Sequence, residues 1–194
     1  MTSFVLFKYQ NPHDTQFPLF TFNQKVYNTG MKLEALFTSK DNSLFTVEGE
    51  NVSLNAENKI TAQGNSIPPA EENDSPLFIY VPWTAVGLDE ESYNEAFLAD
   101  LRDYLKSMEE KKHFAVIVPV ADTDCSTSEK KEALTASMKH CARRIKDCKS
   151  VIGFAIPEEA DPATFMEELS QKHAHYVYFS KNASVLEDSS VVKI

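Results

Sequence analysis

Apolar residues are spaced along this chain in two textures. From residue 77 onward, short apolar runs alternate with amphipathic stretches. Leu77-Phe78-Ile79-Tyr80-Val81, Phe114-Ala115-Val116-Ile117-Val118-Pro119-Val120, 151–156 and Tyr176-Val177-Tyr178-Phe179 each read as a buried strand. Val191-Val192-Lys193-Ile194 reads as a last short one. Between the strands lie three helical stripes. Tyr93, Phe97, Leu101, Leu105 and Met108 recur at i, i+4, i+8, i+12 and i+15. Leu134, Met138, Cys141, Ala142, Ile145 and Cys148 form the second stripe, and Phe165, Met166 and Leu169 the third. Start signals accompany them: Asp89 as an N-cap, Ser126 with Glu129 as a capping box, and Asp161-Pro162 as cap and first turn. Strand, helix and strand in succession predict βαβ units with right-handed crossovers and a parallel sheet. A closed eight-stranded barrel takes about 250 residues. The expectation is therefore an α/β fold with an open sheet, either doubly wound or a half-barrel.

Residues 1–67 have another texture. No helical period persists, and short β-prone pieces fall at 3–9, 17–22, 43–48, 51–54 and 59–62. Residues 44–54 predict a hairpin around Gly49-Glu50-Asn51. The stretch 28–37 fits a short helix or a strand. Residues 66–76 are polar and proline-rich, the composition of a loop. The predicted organisation is a β-rich portion over 1–67, a linker over 68–76 and a βαβ portion over 77–194.

Charge and composition then narrow the function. The formal net charge of −10 argues against nucleic acid or an anionic membrane surface as a partner, since both repel it. No apolar stretch approaches the ~20 residues of a membrane span, and residues 1–8 lack the charged start of a signal peptide. A cytoplasmic protein is expected. Cys125, Cys141 and Cys148 are odd in number and read as buried thiols, the last two on one helix. The five glycines write neither a dinucleotide fingerprint nor a phosphate loop. His173-Ala174-His175 is the one close histidine pair, and no third ligand lies near it in sequence. No cofactor and no metal are predicted.

The candidate chemistry sits at strand ends, where ligands gather in α/β sheets. Trp83 follows the first strand, Asp122 and Asp124 the second, Glu158 and Glu159 the third. Carboxylates accept from sugar hydroxyls, and an aromatic ring stacks on a sugar face. Acids at these positions also cap helices, the role expected of Asp161.

Residues 138–154, which end in Ile145-Lys146-Asp147-Cys148-Lys149-Ser150-Val151-Ile152-Gly153-Phe154, are similar to a helix-to-strand passage of the cellulase-like glycoside hydrolases. These are barrel enzymes in which that strand runs to an Asn-Glu pair. Ile79-Tyr80-Val81-Pro82-Trp83 resembles an earlier strand of the same family, and the helix over 92–112 with Phe114-Ala115-Val116-Ile117-Val118 resembles the next unit. The resemblance spans 77–160. It implies Glu159 as the acid/base and puts Glu158 where the family has Asn, while the strand-end rim itself offers Trp83, Asp122 and Glu158 as sugar-binding residues. The strand at 114–120 lacks the Asp and His that usually follow it in the family. The family's second catalytic carboxylate comes from a later strand than any predicted here. The resemblance thus implies a carbohydrate-associated protein that is catalytically degenerate or incomplete. The alternative is a non-enzymatic assembly module whose half-barrel is completed by self-association or a partner.

Overall fold

The computed structural model describes residues 33–63, 67–69 and 74–194. The β-prone pieces at 3–9 and 17–22 lie outside the described residues. Residues 32–194 form one compact unit.

The chain first makes a small antiparallel pair, β1 (Phe37–Lys40) and β2 (Ser43–Thr46). Asp41 and Asn42 join them with φ of 50° and 56°, the left-handed conformation that a two-residue hairpin turn requires and that Asp and Asn tolerate. The chain turns back around Gly49 as expected over 44–54, with the Thr46 N–H donating to Glu50 (2.8 Å) and the Val52 N–H to Leu44 (2.9 Å), but forms an isolated bridge, Phe45 opposite Asn51, in place of a regular ladder. The regular ladder lies earlier, around Asp41-Asn42.

A six-stranded sheet follows, parallel throughout and ordered as in the sequence. It comprises β3 (Lys59–Thr61), β4 (Leu77–Pro82), β5 (Ala115–Val120), β6 (Val151–Ala155), β7 (Val177–Ser180) and β8 (Val191–Lys193). It is open, not closed into a barrel. β3 precedes the proline-rich stretch and β4 follows it, so residues on both sides of that stretch share one sheet. The helices are a single turn, α1 (Trp83–Val86), then α2 (Glu95–Glu110), α3 (Ser128–Arg144) and α4 (Pro162–Ser170).

Alternate strand residues separate two cores. Leu77, Ile79, Val81, Ala115, Ile117 and Phe154 pack with Phe97, Leu101, Leu105, Leu134, Met138 and Phe165 of the helices. Phe78, Val116, Ile152, Ala155, Val177, Phe179 and Val192 point the other way, onto Phe37 and Leu44 of the hairpin. Helices therefore cover one face and the hairpin covers the other. This is a singly wound sheet, as its sequential strand order demands. Burying Phe37 and Leu44 contributes about 1.5–3 kcal/mol each. Asn42 staples the hairpin to the edge strand. Its backbone N–H donates to Ser189 (3.1 Å), its carbonyl accepts from Lys193 (3.0 Å), and its side-chain amide donates to Val191 (2.7 Å).

Helix starts shift slightly from expectation. Asn94, not Asp89, caps α2, its side chain accepting from the Phe97 N–H at 3.1 Å. Asp89 instead closes a preceding turn by accepting from Glu91 and Ser92. Thr127, one residue beyond Ser126, caps α3. Asp161 caps α4 with Pro162 at its first position, as expected. The helix bearing Cys141 ends at Arg144, so Cys148 lies past it; all three thiols are free and buried. No helix among the described residues is long and apolar enough to cross a membrane.

Candidate functional site

β6 brings the two glutamates to the carboxyl end of the sheet. All five of its residues are buried, and the register against β5 slips between Ala115 and Val116, which pair with Val151 and Gly153. The slip is a bulge. Gly153 is required there: a Cβ would stand 1.8 Å from the Val177 carbonyl oxygen of β7. Beyond the strand, the Ile156 N–H donates to Phe179 at 2.8 Å, and Pro157 then offers no donor to extend the ladder. The Ala160 N–H returns to the Pro157 carbonyl at 3.2 Å, closing a turn with Glu158 and Glu159 at its centre. Asp161 next accepts from Thr164 N–H (2.9 Å) and hydroxyl (2.6 Å), so its carboxyl is held low, by the hydroxyl first.

The turn forms one wall of a cleft of about 250 Å³ at the carboxyl ends of β4 to β7. Val118, Ala155 and Ile156 provide apolar lining, while Tyr80, Glu158, Glu159, Lys181 and Asn182 provide the polar groups. Ser180 also lines it, its buried hydroxyl accepting from the Asn182 N–H at 3.1 Å. Among the described residues, neither glutamate nor Lys181 takes part in a hydrogen bond or ion pair. Opposite charges thus face one cleft without neutralising each other.

The other expected site residues go elsewhere. Asp122 is exposed at the end of β5 but does not line the cleft. Its Oδ1 accepts from the Thr84 N–H at 3.0 Å and its Oδ2 from the Thr84 hydroxyl, which ties β5 to α1. Trp83 is only 3 % exposed and packs in the helix-side core. Its Nε1 donates to Ser137 Oγ on α3 at 3.1 Å, and Ser137 donates on to the Gly87 carbonyl at 2.8 Å. Gly87, at φ 112°, ends α1 where a Cβ would meet the Ser92 carbonyl oxygen at 2.4 Å. A ring so enclosed has no face to offer a ligand. All four predicted residues follow strand ends, yet only Glu158 and Glu159 share a pocket. Tyr80, Lys181 and Asn182 are additions. The strand-end rule that selected the glutamates also covers Lys181 and Asn182, which directly follow β7.

Cys125 is no activated nucleophile. Burial raises its pKa first, and the charge of Glu159 adds to that. Burial also pushes Cys141 and Cys148 up to about 12. Among the described residues, no group of three His, Cys, Asp or Glu side chains is placed to hold a metal ion. A larger groove, about 500 Å³, runs along α3 and α4 on the helix side. Its charges partly satisfy each other, as in the Lys139–Glu168 ion pair.

Hydrolysis of a glycosidic bond needs two carboxyl groups flanking it, about 5–5.5 Å apart for retention and 6.5–9.5 Å for inversion. Glu158 and Glu159 line the cleft and are consecutive on one turn. No other Asp or Glu side chain among the described residues lines the cleft. The arrangement can accept hydrogen bonds from hydroxyls and oppose a positive charge. It does not flank a bond. No protein-family model matches the chain, and no curated protein matches it either.

Proposed function

We propose that this protein binds a small carbohydrate in the cleft at the carboxyl ends of β4 to β7 and does not hydrolyse it. The reading is supported most by two carboxylates, Glu158 and Glu159, that line a cleft and have no hydrogen-bond or ion-pair partner among the described residues. Glu158 and Glu159 accept from sugar hydroxyls, while Lys181 and Asn182 supply donors on the neighbouring strand end. The apolar lining from Val118, Ala155 and Ile156 takes the less polar face of the ring. Trp83 plays no part in binding. Self-association to complete a half-barrel is the weaker reading, because the hairpin already covers the sheet face that a partner would fill.

The test is a titration of the isotope-labelled protein with gluco- and manno-oligosaccharides, followed by NMR. Shifts confined to residues around Tyr80, Glu158, Glu159 and Lys181, with no new reducing ends formed, support the reading. An absence of shifts with every glycan at millimolar concentration contradicts it. Release of reducing ends abolished by Glu159→Gln would instead establish a hydrolase.

A further inference from the structure

At the opposite end of the sheet, the corner between α4 and β7 buries an imidazole. His173 is 4 % exposed and Tyr176 6 %. The His173 N–H donates to the Leu169 carbonyl at 3.0 Å, which closes α4. The Tyr176 N–H donates to the His173 carbonyl at 3.0 Å, which starts the strand. The two rings stack at 5.3 Å and 29°, and Tyr176 packs in turn on Phe154 of β6 at 5.3 Å. His173 Nε2 and the Tyr176 hydroxyl meet no hydrogen-bond partner among the described residues. The charges that face His173 are Arg143 of α3, Lys146 beyond it and Lys172 beyond α4, with His175 on its own turn. Asp147 reaches Tyr176, but its carboxylate is engaged by the Arg102 guanidinium. None of the charges facing His173 among the described residues is a carboxylate.

We propose that this corner is an acid-sensitive latch: His173 holds it closed as a neutral ring, and protonation of that ring releases the segment from the sheet. A proton added at Nε2 would be buried, without an acceptor among the described residues and among cations, so the closed form resists it. Burial first, then His175 and Lys146, push the His173 pKa down to about 4. Once open, the ring titrates near its ordinary value of about 6.5. The open form therefore takes up the proton first. Closure is fully stable above about pH 6.5 and weakens as pH falls toward 4, by up to tenfold in the opening constant per pH unit. Asp147 and Asp161, whose pKa values are lowered, lose their contributions only in a more acidic window. The latch does not depend on what the cleft binds.

Hydrogen exchange of the full chain, corrected for intrinsic rates and followed from pH 7.5 to 4.5, tests this. Peptides across 168–180 are expected to lose protection by up to about tenfold per pH unit below 6.5, while those in α2 keep theirs. His173→Phe, which keeps a ring against Tyr176, should abolish the loss. Lys146→Ser with Lys172→Ser, both at the surface, should trim the loss only slightly and only toward pH 4.5, since burial is the larger cause. Protection that stays flat in the native protein overturns the latch, as does an undiminished loss in His173→Phe. If that variant does not fold, His173→Leu takes its place, and an undiminished loss there overturns the proposal.

Discussion

Two loops at the carboxyl end of the sheet each carry a pair of acids, and the pairs behave differently. After β5, Asp122 is taken up by the Thr84 N–H and hydroxyl, and Asp124 by the Lys130 ammonium at 2.5 Å and the Ser126 N–H at 3.1 Å. After β6, Glu158 and Glu159 hold no partner among the described residues, while Asp161 takes the capping role there. The same residue chemistry thus serves structure in one loop and stays without a partner among the described residues in the next. Position at a strand end identifies where a site can be. Only the accounting of hydrogen-bond partners separates available acids from occupied ones.

The comparison can be broken most forcefully at Gly153. Gly153→Ala drives a methyl into the β7 backbone and should cost about 3 kcal/mol or more, lowering the denaturation midpoint and dismantling the cleft with it. A midpoint within error of the native protein would show that β6 and β7 can separate at no cost. Asp122→Ala should cost about 1 kcal/mol through loss of the Thr84 contacts, while leaving the cleft as it is. Asp124 sharpens the contrast through pH. The Lys130 ammonium first, then the Ser126 contacts, hold its pKa at about 2, below its value in the unfolded chain. Its contribution is complete above the ordinary carboxylate value of about 3.9 and is lost as pH falls toward 2. Asp124→Asn should remove that part of the acid dependence of unfolding. The smallest effect belongs to the other loop. Glu158→Gln with Glu159→Gln should change stability by less than about 0.5 kcal/mol in chemical denaturation, since no partner among the described residues is lost.

Much of this was legible in the sequence. The four apolar runs and three stripes between 77 and 179 became β4 to β7 and α2 to α4, because strands buried on both faces leave continuous apolar runs and helices buried on one face leave a helical stripe. Caps moved by one to five residues where several capping side chains competed, as with Asp89 against Asn94. The hairpin centred on Asp41-Asn42 went unread, since its strands are four residues long and its stability comes from distant Phe78, Val116 and Phe179. β3 was read as part of a separate β-rich portion, yet it pairs with β4 across the intervening stretch. The glutamates follow from strand position alone. The burial of Trp83 does not, because it depends on a one-turn helix and on Ser137, 54 residues away.

The most direct measurement is calorimetric titration of one cleft-binding oligosaccharide into three proteins: native, Asp122→Asn, and Glu158→Gln with Glu159→Gln. The account predicts equal affinity for the native protein and Asp122→Asn, and a loss of about tenfold or more in the glutamate variant, as expected when charged hydrogen-bond acceptors are neutralised. Equal affinity in the glutamate variant, or a loss in Asp122→Asn of the same size, would contradict the division between occupied and available acids.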